Sequence, residues 1–224
     1  MKITWLGQAG LLFEYDNVKI MIDPYLSDSC LELNPSNRRR TPIREEIFDI
    51  SPDVFIVTHC HRDHLDPETY PRFLDTDKSI TVLAPENSWT EIRKYGKNHN
   101  YVMFNTGTTW TEYGISFHAV RAEHSDSTAI GVIIDDNKNR FYITGDTLLN
   151  DSVIAGISGR IDAVFLPING VGNNMNMQDA ATFVKAIGAK KCVPIHWGMF
   201  DDLNPDNFPA ENKVIPRAYH EIKL

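Results

Sequence analysis

The sequence has few cysteines and no long apolar run. Its three cysteines, Cys30, Cys60 and Cys192, are an odd number scattered over 224 residues, so we expect neither a disulfide framework nor a CxxC zinc pair. No apolar stretch approaches the roughly 20 residues that a membrane helix needs. The opening residues lack the basic region and apolar core of a secretory signal. We therefore expect a protein of the reducing cytoplasm that has no membrane partner.

Positive charge is also scarce. There are 22 Lys and Arg residues against 30 Asp and Glu residues, which gives a formal net charge of −8. Because no basic field is available to displace counterions, a nucleic acid is not the expected partner, and a small-molecule substrate is favoured. The sequence contains no GxSxG motif, which excludes the usual serine nucleophile. No Gly-, Ser- or Pro-rich linker divides the chain, so we expect one domain over residues 1–224 and leave a homo-oligomer open.

Short apolar or β-branched runs, separated by turn residues, predict a chain rich in strands. Asp66-Pro67 predicts the start of a helix, with Asp66 as its N-cap. Apolar residues at helical spacing over residues 177–187, with Asn176 before them and Gly188 after them, predict a second helix. Helices interspersed among strands favour a layered α/β or α+β architecture. The predicted strands cover residues 2–6, 11–15, 18–22, 53–57, 80–84, 101–104, 115–120, 129–134, 140–144, 163–166 and 192–195.

Residues 59–64 carry the main chemical signal. His59, His61, Asp63 and His64 directly follow the predicted strand at 53–57. Neutral imidazole and carboxylate are the ligands of zinc, manganese and iron. Imidazoles this close repel one another when protonated and lose hydration when buried, and a bound cation removes both penalties. The segment therefore predicts a metal site.

Three further candidate ligands follow other predicted strands: His124, Asp146 and His196. Alone, such residues are more often turn formers or ordinary polar side chains. However, sites in layered sheets form outside strand ends, where these residues would join the first cluster. The combined set exceeds what one tetrahedral ion uses, and it suits two ions about 3.5–4 Å apart with Asp146 bridging them.

These residues resemble the signature of the metallo-β-lactamase superfamily, in which HxHxDH is followed by a distant His, a bridging Asp and a final His. The segment 5–10 (Trp-Leu-Gly-Gln-Ala-Gly) and the Asp23-Pro24 turn also fit this family. The resemblance implies a four-layer αββα sandwich, in which two sheets are flanked by helices. It implies a first ion on His59, His61 and His124, a second on Asp63, His64 and His196, and Asp146 between them.

Within the superfamily, the chain is similar to the L-ascorbate-6-phosphate lactonase-like branch. The similarity lies in residues 40–42 (Arg-Thr-Pro), 166–170 (Leu-Pro-Ile-Asn-Gly) and 194–197 (Pro-Ile-His-Trp). A class B β-lactamase is less expected, because those enzymes are secreted and usually have Cys or Ser at one ligand position. The candidate substrate-binding residues are Arg40, Thr41, Asn169 and Trp197.

Several of these residues have a second interpretation. The basic group at residues 38–40 is either a solvated loop or a clamp for a phosphate or carboxylate. Asn169 belongs to an Asn-rich loop that either lines the site or only connects two elements, and Trp197 either walls the pocket or packs. Asp23 either accepts a hydrogen bond from a ligating histidine or forms a simple Asp-Pro turn.

We therefore expect a metal-dependent hydrolase with two divalent ions, Zn²⁺ or Mn²⁺, and leave iron open. Two cations lower the pKa of a water between them, which makes hydroxide available near neutral pH. The expected substrate is a small, anionic ester, lactone or phosphoester. Asp63 is the expected catalytic residue, which holds the nucleophile and moves a proton. The alternatives are a phosphodiesterase or nuclease of the same fold, and a non-hydrolytic metal-binding relative such as a di-iron redox protein.

Overall fold

Two six-stranded sheets form the centre of the molecule, and in both the spatial order of the strands follows the chain. The computed structural model describes every residue from Met1 to Leu224. The first sheet contains β1 (Lys2–Gly7), β2 (Gly10–Glu14), β3 (Lys19–Ile22), β4 (Val54–Ile56), β5 (Thr81–Ala84) and β6 (Asn100–Met103). The second contains β7 (Thr109–Glu112), β8 (Ile115–Arg121), β9 (Ile130–Asp135), β10 (Arg140–Ile143), β11 (Ala163–Pro167) and β12 (Lys191–Ile195).

Both sheets begin as an antiparallel meander and continue as parallel strands. The change from antiparallel to parallel pairing comes after β3 in the first sheet and after β10 in the second. Parallel neighbours need a crossover connection, and four helices lie in these crossovers. They are α1 (Thr69–Leu74), α2 (Glu86–Ile92), α3 (Asp151–Ala155) and α4 (Met177–Ile187).

The remaining helical segments are short 3-10 turns, two between β3 and β4 and one after β12. They cover Ser29–Glu32, Glu45–Asp49 and Pro205–Asn207. The longest helix, α4, has 11 residues. None of the helices combines the length and the apolar character that a bilayer crossing requires.

Three apolar clusters separate four layers. The largest lies between the sheets, where the Phe13 ring packs against Phe141 at 5.6 Å and Phe165 at 5.8 Å between ring centroids. Side chains alternate between the two faces of a strand: Val54 points into this cluster, whereas its neighbour Phe55 points outward to α1. A third cluster packs the outer face of the second sheet against α4. The predicted αββα sandwich is confirmed.

The structure differs from the sequence expectations mainly in half-exposed elements. The edge strand β7 was not predicted, because its residues alternate exposed and half-buried and form no apolar run. Helices α2 and α3 were also missed, since each covers less than two turns. The helix expected at Asp66 begins at Thr69 instead. The Asp66 carboxylate accepts from the Glu68 N–H at 3.1 Å and the Ser29 hydroxyl at 2.8 Å, which forms a turn before the helix.

The core between the sheets yields the first prediction. Phe13→Ala removes a ring that is completely buried between Phe141 and Phe165. We expect a loss of about 3–5 kcal/mol in the free energy of unfolding, from lost burial and the cavity left behind. Urea unfolding measures this loss. Leu33→Ala, at a residue 64% exposed, is the control and should change stability by less than about 0.5 kcal/mol. A loss below about 1 kcal/mol in Phe13→Ala would contradict this account of the core.

Candidate metal centre

The candidate ligands all lie at one edge of the sandwich, and both sheets contribute. The loop after β4 belongs to the first sheet, whereas three other candidates follow strands β8, β10 and β12 of the second sheet. The structure brings all seven predicted ligands together, namely His59, His61, Asp63, His64, His124, Asp146 and His196.

Gly145 lets the two sheets approach each other at this edge. Its φ of +60° is left-handed, and a Cβ there would lie 2.7 Å from the Ile130 carbonyl oxygen and 2.9 Å from the Thr58 Cβ. The Ile130 N–H donates to the Thr58 carbonyl at 3.0 Å. The loop after β4 therefore contacts the second sheet directly, which places Asp146 beside the histidines.

The first group consists of His59, His61 and His124. The Nδ1 atom of His61 lies 3.1 Å from Nε2 of His59 and 3.1 Å from Nε2 of His124. Three ring nitrogens therefore converge on one point. His59 is completely buried, and the other two are half-buried.

The second group consists of Asp63, His64 and His196, and all three are buried. Nε2 of His196 lies 3.0 Å from Oδ2 of Asp63 and 3.1 Å from Nε2 of His64. This group too directs its potential ligand atoms to a single point.

Asp146 lies between the groups, and each of its oxygens faces one of them. Oδ1 is 3.2 Å from Nε2 of His64 and 3.2 Å from Nε2 of His196. Oδ2 is 3.9 Å from Nε2 of both His59 and His124. The carboxylate is therefore placed to bridge two positions.

The outer ring nitrogens are held by neighbours, so the inner ones are free to bind a metal. The His124 Nδ1–H donates to the Asn173 carbonyl at 3.2 Å, and the His59 Nδ1–H donates to the Thr58 hydroxyl at 3.1 Å. A histidine that donates from Nδ1 keeps a lone pair on Nε2. His61 is reversed: its Nδ1 faces the group and its Nε2 is 3.4 Å from the Ser125 hydroxyl.

Asp23 holds His64 from behind. Its φ of +42° is unusual for a residue with a side chain, and its carboxylate is buried. The His64 Nδ1–H donates to Oδ2 at 2.8 Å, while the Thr58 N–H donates to Oδ1 at 2.8 Å and the Thr58 hydroxyl to Oδ2 at 2.5 Å. Of the two interpretations of Asp23, the geometry supports the hydrogen bond to a candidate ligand.

Burial and charge divide the histidines into two kinds. Burial lowers the pKa of His59 well below its usual value and also lowers that of His124. Burial alone would lower the pKa of His64 and His196 too. However, the Asp146 and Asp63 carboxylates outweigh it, and they raise the pKa of His64 well above its usual value and that of His196 to about 9. The second group therefore favours positive charge, which a bound cation would supply.

The donor set fits divalent cations. Three sets of three residues each bring one potential ligand atom per residue within 4.8 Å of one another. Imidazole nitrogen and carboxylate oxygen suit zinc, manganese or iron. Ring nitrogens 3.1 Å apart cannot all carry protons, because protonated imidazoles repel. A cation on each group would bind the lone pairs of the nitrogens that carry no proton.

A cavity of about 250 Å³ opens over the two groups. Besides candidate ligands, it is lined by two apolar residues, Val171 and Phe200, and by Ser125 and residues 172–174. No lysine or arginine lines it. The space is smaller than the ~300 Å³ lower end of common ligand pockets.

The predicted substrate-binding residues do not line this cavity. The Arg40 guanidinium is paired with Asp201 at 3.1 Å, and Thr41 lies where a Cβ on Gly7 would come within 3.5 Å of its own Cβ. The Trp197 indole N–H donates to the Pro194 carbonyl at 3.0 Å, and its ring packs on Trp5. The structure thus favours packing for Trp197 and an ion pair for Arg40.

Asn169 lies near the centre, although not on the cavity wall. It is buried, and its side-chain amide is 3.1 Å from Nδ1 of His196. Its position therefore suits orienting His196 rather than touching a substrate. Arg39, the neighbour of Arg40, donates to the backbone carbonyls of Tyr25 and Leu6, so this arginine supports the fold.

Two polar residues at the centre were not among the predicted site residues. The Asn174 amide donates to Oδ2 of Asp146 at 2.7 Å, and the Gln8 amide donates to Oδ2 of Asp63 at 3.0 Å. Asn174 lies in the Asn-rich loop and Gln8 in the segment 5–10, and both segments carry a signal in the sequence. Nothing in the sequence distinguishes these amides from their neighbours.

The Asp23 hydrogen bond yields the second prediction. Asp23→Asn keeps the size of the side chain but removes the negative charge opposite the His64 Nδ1–H. We expect zinc affinity to fall about 10–100-fold, as when an outer partner of a ligating histidine is lost. Competition with a chromophoric chelator measures this. Asp66→Asn, at a buried carboxylate that contacts Ser29 and Thr69 instead, is the matched control. Equal affinities in the wild type and Asp23→Asn would disprove the role.

Comparison with known proteins agrees with this geometry. The family described as the beta-lactamase superfamily domain matches residues 19–197. A UPF0173 metal-dependent hydrolase of Methanosarcina mazei is 30% identical over 238 residues, which cover 100% of this chain and 94% of the relative. A similar hydrolase of Exiguobacterium is 29% identical and covers 92% of this chain and 90% of the relative.

A solved structure shows the same fold. The metallo hydrolase Igni18 of the archaeon Ignicoccus hospitalis superposes with a TM-score of 0.75 at 21% identity, over 99% of this chain and 96% of that one. The resemblance to the superfamily is confirmed, while the lactonase-like branch stays a prediction. The chain belongs to the β-lactamase superfamily and is a metal-dependent hydrolase of the metallo-β-lactamase fold.

Proposed function

We propose that this chain, as one domain over residues 1–224, uses two divalent cations to hydrolyse a small ester, lactone or phosphoester. The observation that carries the proposal is the position of Asp146. Its Oδ1 lies 3.2 Å from two histidines of the second group, while its Oδ2 faces two histidines of the first. A carboxylate shared in this way is the expected centre of a two-metal site.

The ligand assignment follows the two groups. His59, His61 and His124 would hold one cation, and Asp63, His64 and His196 the other. When bound, such cations supply Lewis acidity and make hydroxide available near neutral pH. A set of nitrogen and oxygen ligands without thiolate suits Zn²⁺ or Mn²⁺, with iron as the third candidate.

Asp63 is the proposed catalytic residue. It lines the cavity, and its Oδ2 is held by the Gln8 amide and by His196 at 3.0 Å each. Its Oδ1 is free to accept the proton of the attacking water and to pass it to the leaving group. The histidines around it keep the pKa of its carboxyl below the usual value despite burial, so it is ionised.

The cavity supports a compact substrate. A space of about 250 Å³ admits a small molecule, and the apolar surfaces of Val171 and Phe200 would contact its carbon skeleton. Because no basic side chain lines the cavity, the cations would provide the main attraction for a negative charge. A lactone fits this description, in keeping with the lactonase-like similarity of the sequence. A nucleic acid fits less well, since nothing here neutralises a phosphate backbone.

The shared carboxylate yields the third prediction. Asp146→Ala should lower occupancy at both cation positions together, because each loses a charged ligand. His124→Ala is the matched control and should lower occupancy mainly at the first position. Elemental analysis of protein dialysed against a fixed free zinc concentration measures this, with close to two equivalents expected for the wild type. Loss of a single equivalent in Asp146→Ala would make Asp146 a terminal ligand and contradict the proposal.

Asp63 yields the fourth prediction. Asp63→Asn keeps the shape and one oxygen donor but removes the base. We expect most of the metal to remain and kcat to fall about 10²-fold or more, the scale of general acid–base assistance. The measurement uses whichever substrate is found in a screen of lactones, carboxylic esters and phosphodiesters, each as a neutral and anionic pair. Unchanged kcat at full occupancy would make Asp63 a spectator, and no turnover of any of these classes by two-metal protein would overturn the proposed function.

A further inference from the structure

The side chain of Gln8 contacts the second group without lining the cavity. Gln8 is buried. Its Nε2 lies 3.0 Å from Oδ2 of Asp63 and 3.1 Å from Nε2 of His196. One buried amide thus contacts two of the three residues proposed to hold the second cation.

The backbone of Gln8 is fixed to the same histidine. Its carbonyl accepts from the His196 N–H at 2.9 Å and from the Trp5 indole N–H at 2.8 Å. Gln8 has a φ of +49° and His196 a φ of +56°, which are costly conformations for residues with side chains. The turn between β1 and β2 is therefore fastened, in a strained form, to the end of β12 in the other sheet.

The amide suits both states of the site. Without a cation, an N–H of the amide donates to Oδ2 of Asp63, which also accepts from His196. With a cation on Nε2 of His196, the hydrogen bond of the amide to Oδ2 of Asp63 can remain, since a carboxylate oxygen accepts more than one partner. Gln8 is neutral, so it adds no charge to this crowded centre.

From this geometry we propose that Gln8 is a positioning residue, which holds Asp63 and His196 in the arrangement that binds the second cation. This inference rests on the proposed function, because it presumes two cation positions. Removing the amide leaves the first group unchanged and lets Asp63 rotate away, so only the second cation should be weakened.

Three variants distinguish the effect of the Gln8 side-chain amide from the effect of the backbone turn. Gln8→Leu removes the amide at similar size. Gln8→Asn suits the left-handed conformation better but is one methylene too short to reach Asp63. Trp5→Phe removes the N–H that holds the Gln8 carbonyl and leaves the amide in place.

Zinc dissociation constants come from competition with a chromophoric chelator, and the Co²⁺ absorption spectrum of each variant reports the coordination of each cation. His124→Ala as a background weakens the first position and isolates the second.

We expect the second dissociation constant to rise about 10–100-fold in Gln8→Leu and Gln8→Asn, with the first unchanged and the Co²⁺ spectrum of the second position altered. Trp5→Phe should lower thermal stability but keep the second constant. Wild-type affinity in both Gln8 variants, or equal weakening in Trp5→Phe, would overturn the inference. A wild-type chain that binds one cation would instead overturn the two-metal proposal. If the Co²⁺ spectrum assigns that cation to the second group, the inference requires both Gln8 variants to weaken it, and a cation on the first group alone would overturn the inference as well.

Discussion

Every candidate cation position in this molecule is built from both sheets. The first sheet supplies two residues of each group through the loop after β4, and the second sheet completes the groups with His124 and His196. Asp146, also from the second sheet, lies between them. The chemistry therefore depends on how closely the two sheets approach at this edge, and Gly145 and the Thr58–Ile130 hydrogen bond allow that approach. Away from this edge, the large apolar core between the sheets sets the distance between them.

The edge of the sandwich carries unfavourable local structure that the centre of the sheets does not. Asp23, Gln8 and His196 all have left-handed backbones, each of which costs on the order of 1–3 kcal/mol. Each lies directly after a strand of the sheets, and each sends its side chain to the second group. The hydrogen bonds of Asp23 to Thr58 and His64 offset part of this cost. At each position the left-handed residue ends a short strand and turns its own side chain toward the second group.

Local patterns and the resemblance to the superfamily were enough to predict most of the fold and the candidate ligands. Alternating apolar runs predict strands, and His59, His61, Asp63 and His64 are neighbours in sequence. The supporting residues could not be predicted in the same way. Gln8 contacts His196 across 188 positions, and no spacing rule reports such a contact. Arg40 is the reverse case: its sequence context suggested a substrate ligand, but Asp201, a distant residue, takes up its charge.

The same geometry ties metal binding to the stability of the fold. The Asp146 and Asp63 carboxylates raise the pKa of His64 and His196, so the second group favours positive charge, whereas burial lowers the pKa of His59. A cation on either group would bond to residues from both sheets. A ligand that binds only the folded chain stabilises it by about 2.7 kcal/mol at 100 times its dissociation constant. Unfolding separates the loop after β4 from His124 and His196 and so destroys both cation positions. Bound cations would therefore stabilise the packing of one sheet against the other.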